Sequence, residues 1–520
     1  MPQVTQMLRR AVQLNGAGLA SECAGRRFSW NQTIARVARL AGALAGLGFQ
    51  RGDRIAILAL NSDRYLEYYF ACAWGGYLFV PINTRLAAPE IAFWLNDSGA
   101  RGLFLDDAFL PALPGFRAHV PGLLHIIHCG DGETPDGMAN HDAMAAAGAA
   151  IADAGAHADD LAGLFYTGGT TGRSKGVMLS HRNLVINAIN TLTMTHFDTN
   201  SVTLHAAPMF HIADATLTFL GTISGGAHVF MARFDPATYL AMIPRHKITG
   251  GLCVPTMINM LVNHPDVAST DLSSFKEMVF GASPMPEAVL RRAFAAFPHT
   301  RFTQAYGQTE AAPVVTLMPP EMLALAGPLA GRLKAAGIAT PACEVAILDP
   351  NDEELPRGAI GEICCRGANV MVGYWNQPAL TATTLRNGWL HTGDGGWMDS
   401  DGILYVVDRV KDMIISGGEN VFSAEVEAAL YQHPEMLECA VIGVPDPVWG
   451  ERVHAIVRLK PGAAATEADL MDHCRTLIAG FKCPRSVTMR DESLPLSGAG
   501  KILKSDLRAP YWIGQTRQVN

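Results

Sequence analysis

The first part of the chain alternates continuous apolar runs with longer, mixed segments. Residues 54–60 (RIAILAL) have the uninterrupted apolar pattern of a buried strand, and residues 62–76 that follow have the length of a helix. The most apolar stretch, residues 66–82, contains Glu67 and two glycines, so it predicts a buried helix running into a strand and not a membrane span. This alternation predicts βαβ units around a largely parallel sheet.

The pattern of apolar and polar residues is different in the last third of the chain. From about residue 345, short strand-like runs separated by turn residues (EVAILDP, GEICCRG, GILYVVDR) predict a β-rich section. After residue 408, two helix-like and two strand-like segments make up a compact α+β unit of domain size. We therefore expect an N-terminal domain of residues 1–410 and a C-terminal domain of residues 411–520. The Ala-rich residues 141–158 are expected to form a surface helix or a linker.

Composition narrows the class of protein. A chain of 520 residues is too long for one ordinary core, and its 49% hydrophobic and 17% charged residues are typical of a globular protein. The net charge of −8 comes without long basic runs, which argues against a nucleic-acid partner.

Cysteine usage and the termini indicate a cytoplasmic protein without a transmembrane segment. The 10 cysteines include no CxxC pair, and the adjacent Cys364 and Cys365 would point to opposite faces of a strand, so reduced buried thiols are expected. The N-terminus lacks an apolar core of signal-peptide length, and the final RQVN is no peroxisomal address. The sequence leaves open whether the protein forms a homodimer.

A Gly-rich loop is the first candidate for chemistry. Residues 168–176 (GGTTGRSKG) lie between an apolar strand, LAGLFYT, and a segment that we interpret as a helix, VMLSHRNLVINAINTL. Glycines let backbone N–H groups approach an anion, threonine hydroxyls add donors, and Lys175 adds a charge. A Walker loop needs Ser or Thr after its lysine, whereas Lys175 is followed by Gly176, so that class is excluded. By itself, such a loop fits a solvated turn equally well.

The longer string YTGGTTGRSKG, residues 166–176, resembles the signature loop of the adenylate-forming superfamily, which includes acyl-CoA synthetases, luciferases and peptide-synthetase adenylation domains. Gly168 stands where a serine is common, and Ser174 where a proline is common. Further motifs follow in the family's order: GASPMP, AYGQTE, WLHTGDGG, DRVKD and LPLSGAGKILK. The resemblance extends from about residue 28 to residue 508.

The resemblance implies an α/β fold of the adenylate-forming type. A large N-terminal domain of parallel βαβ subdomains with a β-rich section would carry ATP and the acid, and a small, mobile α+β domain would follow. The implied cofactors are ATP, Mg²⁺ and coenzyme A. The implied nucleotide contacts are Thr167, Gly168, Gly169, Thr171, Gly172, Lys175, Gly281, Ala282, Ser283, Tyr306, Gly307, Thr309, Asp394 and Arg409.

Within that set, the family assigns particular roles. Tyr306 would lie near the adenine, Thr309 at the α-phosphate, and Asp394 at the ribose hydroxyls, with Arg409 as a further ribose or phosphate contact. Glu310 and Thr170 would hold Mg²⁺, because a carboxylate beside a triphosphate needs a cation between them.

The implied chemistry has two steps. The acid's carboxylate attacks the ATP α-phosphate, and Lys501, with Thr170, Glu310 and His211, forms the catalytic set. The thiol of CoA then attacks the acyl adenylate after the C-terminal domain has rotated about a hinge at Lys411. The residues implied for CoA are Gly417, Gly418, Glu419 and Trp449, with Phe481, Lys482 and Arg485 nearby.

The acid itself is less defined. The implied acyl pocket consists of Phe210, Thr216, Gly251, Cys253, Val254, Ala305 and Ala311. These side chains are small or apolar and include no cation, which disfavours a dicarboxylate. We expect an AMP-forming acid–CoA ligase for a medium- to long-chain fatty acid. The alternatives are an aryl acid of the benzoate or cinnamate type, or loading of a carrier protein, and Asp214 could bind a hydroxyl or an amine.

Overall fold

A computed structural model describes residues 2–167, 174–326, 330–409, 413–416, 419–498 and 500–513, with the backbone alone at residues 408, 409 and 420. The helices are α1 Val4–Asn15, α2 Trp30–Gly46, α3 Asp63–Gly75, α4 Ala88–Ser98, α5 Leu113–Arg117, α6 His141–Ala147, α7 His181–Thr193, α8 Ile212–Ser224, α9 Pro236–His246, α10 Pro255–Val262, α11 Glu287–Ala296, α12 Pro378–Thr384, α13 Ser423–Leu430, α14 Glu467–Arg475 and α15 Lys504–Arg508. The strands are β1 Leu19–Cys23, β2 Arg26–Ser29, β3 Arg54–Leu58, β4 Leu78–Pro81, β5 Ala100–Leu105, β6 His125–His128, β7 Ala139–Asn140, β8 Leu161–Thr167, β9 Lys175–Ser180, β10 Val202–His205, β11 Ala227–Phe230, β12 Gly250–Cys253, β13 Glu277–Gly281, β14 Arg301–Gly307, β15 Val314–Met318, β16 Ile338–Ala339, β17 Cys343–Leu348, β18 Gly361–Gly367, β19 Gly373–Tyr374, β20 Leu385–Arg386, β21 Trp389–Met398, β22 Leu404–Arg409, β23 Ile414–Ser416, β24 Glu419–Val421, β25 Met436–Asp446, β26 Gly450–Leu459 and β27 Ser486–Met489.

Two large sheets with parallel centres form the first part of the molecule. Among the described residues, one has the order β16-β15-β14-β13-β12-β10-β11-β1-β2, and the other β19-β9-β8-β4-β3-β5-β6-β7. Neighbours from β14 to β1 and from β8 to β7 run parallel, while the strands at the ends, such as β15 and β9, pair antiparallel. The predicted α/β fold with βαβ units is confirmed.

The core between these sheets is aromatic. Tyr69 of α3 lies with its ring 5.1 Å from that of Phe79 on β4 and 5.6 Å from that of Phe219 on α8. Since Phe79 belongs to one sheet and α8 packs on the other, these rings join the two layers across α3 and α8. Helix α3 begins where the Ser62 hydroxyl accepts a hydrogen bond from the Tyr65 amide.

Two smaller sheets follow. Strands β17, β18, β20, β21 and β22 form an antiparallel sheet, and β23 to β27 form a mixed sheet with α13 and α14 packed on it. These are the predicted β-rich section and C-terminal α+β unit. Cys364 and Cys365 pack in different hydrophobic clusters on opposite faces of β18, and all 10 cysteines are free thiols, as expected.

Two expectations from the sequence need correction. The segment after the Gly-rich loop is not helical from its start, because Lys175–Ser180 forms β9 antiparallel to β8, and α7 begins at His181. Val177, Met178 and Leu179 suit a strand between β8 and β19 as well as a helix, which the helical pattern concealed. In the Ala-rich stretch, α6 ends at Ala147 and the following residues pack irregularly, with Ala156 and Ala158 buried.

No helix in the described ranges is long and apolar enough to cross a membrane.

The pH dependence of stability follows from buried histidines. Burial lowers the pKa of His181 to about 4 and holds that of His228 well below its usual value. The unfolded chain therefore binds more protons than the folded one below about pH 6.5, so stability falls as the pH falls, by on the order of 1 kcal/mol for each histidine at pH 5.5. Urea unfolding at pH 7.5 and pH 5.5 measures this loss. His181→Gln should reduce it and His119→Gln, at an exposed position, should not; equal midpoints at both pH values would contradict the prediction.

Candidate active site

The carboxyl ends of parallel strands bring the predicted motifs together. Strands β10, β12, β13 and β14 are neighbours in one sheet and end at His205, Cys253, Gly281 and Gly307. The loops that follow these ends therefore lie along the same edge, where ligands of open α/β sheets bind. These loops carry part of the expected nucleotide and acyl residues, namely Ala282, Ser283, Thr309, Phe210, Val254 and Ala311.

Two glycines allow the backbone to pack tightly at this edge. A Cβ added at Gly281 would lie 2.1 Å from the carbonyl oxygen of Ala305 on β14, and one at Gly307 would lie 1.8 Å from that of Pro313. Any side chain would collide with backbone at both positions. Gly281 and Gly307 are therefore required for the approach of the two segments, whatever ligand they also contact.

The base of the phosphate loop is a β-hairpin. Thr167 at the end of β8 pairs with Lys175 at the start of β9, so the loop leaves and returns at one point. Residues 168–173 lie outside the described residues, so the roles expected of Gly168, Gly169, Thr170, Thr171 and Gly172 stay predictions.

The hairpin is held from one side by aromatic residues. The Tyr166 hydroxyl donates to Asp97 Oδ2 at 2.6 Å, and its ring stacks on Trp94 with centroids 4.8 Å apart. The Trp375 amide donates to the Gly176 carbonyl at 2.8 Å. A rigid base of this kind fixes where the Gly-rich loop begins and ends.

Glu310 is buried, and Tyr374 connects it with Lys175 of this loop. The Tyr374 hydroxyl donates to Glu310 Oε1 at 2.8 Å, and Lys175 Nζ lies 5.3 Å from the centre of the Tyr374 ring. Burial, followed by the Glu310 charge, raises the pKa of Tyr374, so the phenol stays a donor. No sequence motif pointed to Tyr374, which connects Lys175 of the Gly-rich loop with Glu310 of AYGQTE.

The buried Glu310 carboxylate has the chemistry that suits a hard divalent cation. Mg²⁺ prefers oxygen ligands and is often bound by one or two carboxylates together with phosphate oxygens. Glu310 provides such an oxygen donor, whereas Thr170, the other expected ligand, lies outside the described residues.

Asp394 meets Tyr306 across two sheets. The Tyr306 hydroxyl donates to Asp394 Oδ2 at 2.9 Å, which joins the end of β14 to β21. Burial, followed by the Asp394 charge, raises the pKa of Tyr306. Arg409 pairs with Asp394 in the register of β21 and β22. The tyrosine and aspartate expected at the adenine and ribose are thus neighbours.

The Asp394 loop has its own support. Glu362 Oε1 accepts a hydrogen bond from the Gly393 amide at 2.9 Å, and Oε2 lies 2.8 Å from His391 Nδ1. Glu362 therefore holds both sides of the turn before Asp394, a role that the sequence analysis did not anticipate.

Lys501 reaches the same edge from the C-terminal unit. His211 is the N-cap of α8, and its Nδ1 accepts a hydrogen bond from the Ala213 amide at 3.2 Å. Burial, followed by the charge of Lys501, lowers the pKa of His211 to about 3, so the imidazole is neutral at pH 7. The histidine expected near the carboxylate and the distant lysine are therefore brought together.

The expected CoA residues lie elsewhere or are not described. Lys411, Gly417 and Gly418 lie outside the described residues. Glu419 begins β24, and Trp449 is 41% exposed with the Arg485 guanidinium 4.3 Å from its ring centre.

Strand alternation distributes the expected acyl-pocket residues over two faces of the sheet. Gly251 pairs with Leu204, and Cys253 Sγ lies 3.5 Å from Tyr239 Oη, so both face α9 and α10, as does Val254. Ala305 of the neighbouring strand β14 lies on the opposite face of the sheet. Its apolar neighbours there, here called the α8 cluster, are Phe197, Leu217, Leu220, Leu252 and Val279. The period of two in a strand separates Leu252 from its neighbours Gly251 and Cys253 in this way.

The other residues of the expected acyl pocket lie where α8 meets residues 309–312. Phe210 and Ala311 are buried in the same core cluster, and Thr216 Oγ1 donates to the Ala312 carbonyl at 3.4 Å. This wall lies next to the α8 cluster along the helix.

Comparison with known proteins gives the family. The sequence profile described as AMP-binding enzyme matches residues 8–375, and the profile described as AMP-binding enzyme C-terminal domain matches residues 425–501. The chain belongs to the AMP-binding enzyme family. It is an AMP-forming acid–CoA ligase that uses ATP and CoA.

Relatives of this ligase match over nearly the whole chain. A feruloyl-CoA synthase of an Amycolatopsis species is 38% identical over 503 residues, covering 96% of this chain and 98% of that protein. The fatty acid–[acyl-carrier-protein] ligase ScoC of Streptomyces coeruleorubidus is 35% identical over 507 residues, covering 96% and 94%. The crystal structure of ATP-bound MatB from Rhodopseudomonas palustris superposes with a TM-score of 0.87 at 32% identity, covering 97% and 98%.

The Tyr306–Asp394 hydrogen bond yields a prediction for this ligase. Tyr306→Phe removes the hydroxyl that donates to Asp394. A hydrogen bond to a charged group contributes about 1.5–3 kcal/mol, so the KM for ATP should rise about ten-fold. Steady-state pyrophosphate release at varied ATP measures this effect. Tyr405→Phe makes the same change at a tyrosine whose hydroxyl bonds Asp399 instead, and should leave the KM unchanged. Equal KM values for both variants would contradict the prediction.

Proposed function

We propose that this ligase activates an apolar monocarboxylic acid whose tail contacts the α8 cluster. The proposal is supported by the α8 cluster, where Phe197, Leu217, Leu220, Leu252 and Val279 bring apolar side chains together beside Ala305. A second carboxylate placed among these residues would lose its hydration without gaining a partner, at a cost of several kcal/mol.

Among apolar acids, we place an aryl acid of the cinnamate type first. The feruloyl-CoA synthase is the more similar of the two curated relatives described above, at 38% against 35% identity. Phe197 also provides an aromatic ring in the cluster, against which an aryl ring can pack edge to face. A medium- to long-chain fatty acid is the second candidate, and the fatty-acid ligase ScoC supports it.

In the adenylation step, we assign positioning and charge neutralisation to this chain's own residues. Lys501 would hold the carboxylate and the α-phosphate together, and neutral His211 would border the carboxylate without adding a charge. Lys175 and the amides of the Gly-rich loop would bind the outgoing phosphates. Glu310 and Thr170 would hold Mg²⁺, which neutralises phosphate charge when bound.

For the second step, we propose that residues 411–520 move as a domain about Lys411, which would withdraw Lys501 and bring Gly417, Gly418 and Glu419 to the thiol. The strands β23 to β27 form a sheet of their own, separate from the three earlier sheets, which supports the boundary between residues 410 and 411. Trp449 and Arg485 on the exposed surface would contact the CoA nucleotide.

The role of Lys501 can be tested by separating the half-reactions. Lys501→Ala should lower acyl-adenylate formation by roughly a hundred- to a thousand-fold, as for other preorganised contacts to a developing charge. Conversion of supplied acyl adenylate and CoA to the thioester should persist at near the wild-type rate. Lys504→Ala is the control for loss of a nearby lysine charge. Equal losses in both half-reactions would show that the assigned role is wrong.

The acid class can be tested by pyrophosphate release over a panel of acids. We expect ferulate, cinnamate and benzoate to give the highest kcat/KM, octanoate and palmitate lower values, and malonate the lowest. Thioester formation is then compared with CoA and with a phosphopantetheinyl carrier protein. Malonate as the preferred acid would overturn the apolar-acid proposal, palmitate as the preferred acid would favour the second candidate, and transfer to the carrier alone would favour the carrier-loading alternative.

A further inference from the structure

The loop that carries Lys501 is a tight turn closed by one serine. The Ser497 amide donates to the Lys501 carbonyl at 2.7 Å, and the Lys501 amide donates to Ser497 Oγ at 3.1 Å. The Gly500 amide also donates to the Ser497 carbonyl at 2.9 Å. These bonds fix the backbone from which the Lys501 side chain extends.

The turn rests directly on the N-terminal part of the chain. A Cβ added at Gly498 would lie 2.4 Å from Asn83 Oδ1, and one at Gly500 would lie 3.0 Å from Val254 Cγ2. Gly500 also has a φ of +78°, which other residues rarely adopt. The two glycines therefore let the turn sit against Asn83 and Val254 more closely than side chains would permit.

Two side chains of the N-terminal part bind carbonyl groups of the turn. Thr256 Oγ1 donates to the Gly500 carbonyl at 3.1 Å, and Arg85 Nη1 donates to the Ser497 carbonyl at 2.6 Å. Thr256 lies in the first turn of α10. One turn further along that helix, Asn259 Nδ2 donates to the Leu437 carbonyl of β25 at 2.9 Å, so α10 holds the C-terminal unit at two points.

We propose that Thr256 and Arg85, together with the Ser497 turn, are positioning residues for Lys501 in the adenylation step. They hold the backbone of the turn, not the ammonium group, and so set where Lys501 stands beside His211. Because the bonds go from the N-terminal part to carbonyls of the turn, they exist only while the turn is docked. They stabilise this arrangement and contribute nothing to a state in which Lys501 has withdrawn. The inference rests on the proposed role of Lys501.

The test compares half-reactions in the full-length chain. Thr256→Val keeps the shape of the side chain and removes the donor, so adenylation, measured by ATP–pyrophosphate exchange without CoA, should fall about five- to ten-fold in kcat, the loss expected for one hydrogen bond. The KM for ATP should stay unchanged. Conversion of supplied acyl adenylate to the thioester should proceed at the wild-type rate. Thr256→Ser, which restores the donor, should recover most of the exchange activity.

Further variants separate positioning from a general loss of structure. Thr270→Val is the matched control, because Thr270 Oγ1 also donates to a backbone carbonyl, that of Asp266 at 2.7 Å, on an exposed part of the N-terminal domain. It should change neither half-reaction. Ser497→Ala and Arg85→Ala should lower the exchange rate, and Ser497→Thr should preserve it.

The proposed function and the positioning role of Thr256 and Arg85 have different readouts. The wild-type exchange rate tests the proposed function, and the ratio of variant to wild-type rates tests the positioning role. Unchanged exchange in both Thr256→Val and Arg85→Ala would overturn the inference. So would equal losses in the two half-reactions of Thr256→Val, since those would indicate a purely structural effect.

Discussion

Buried carboxylates must have partners, and this constraint determines how the layers of the molecule meet. Glu310 sits at the edge of the large sheet, where water is largely excluded, and a carboxylate there is costly unless it is hydrogen-bonded. Tyr374 supplies that bond from β19, a strand of the other large sheet. Tyr306 makes a comparable hydrogen bond to the partly buried Asp394, between the large sheet and the β-rich section. The site is therefore built at the junction of three sheets, and its polar groups are also what joins them.

The same junction explains why the phosphate loop can be long and rich in glycine. The hairpin of β8 and β9 is anchored through Tyr166 and Gly176 to neighbours outside the loop. An anchored hairpin fixes Thr167 and Lys175, the two positions from which the Gly-rich loop starts and to which it returns. Lys175 in turn lies near the ring of Tyr374, whose hydroxyl binds Glu310, so one tyrosine contacts both residues.

The C-terminal unit contributes to this site through backbone contacts. Glycines at 498 and 500, and carbonyls bound by Arg85 and Thr256, let one small turn deliver Lys501 to the end of α8. Beside this turn, Tyr431 of the C-terminal unit packs against the core cluster around β12 and α10, and Asn259 binds the Leu437 carbonyl.

The sequence by itself determined the family, the layered α/β architecture and the nucleotide motifs, because each motif is a short string whose chemistry depends on neighbours in the chain. The alternation of strand and helix patterns likewise predicted particular elements, such as α3 and β4. It failed at Lys175–Ser180, where a strand forms because β8 offers a free edge for pairing. Tertiary structure alone decided which face of β12 meets α8, that Tyr374 pairs with Glu310, and that Arg85 and Thr256 hold the Lys501 turn. Those outcomes depend on residues far apart in sequence, whose distance in space no local pattern encodes.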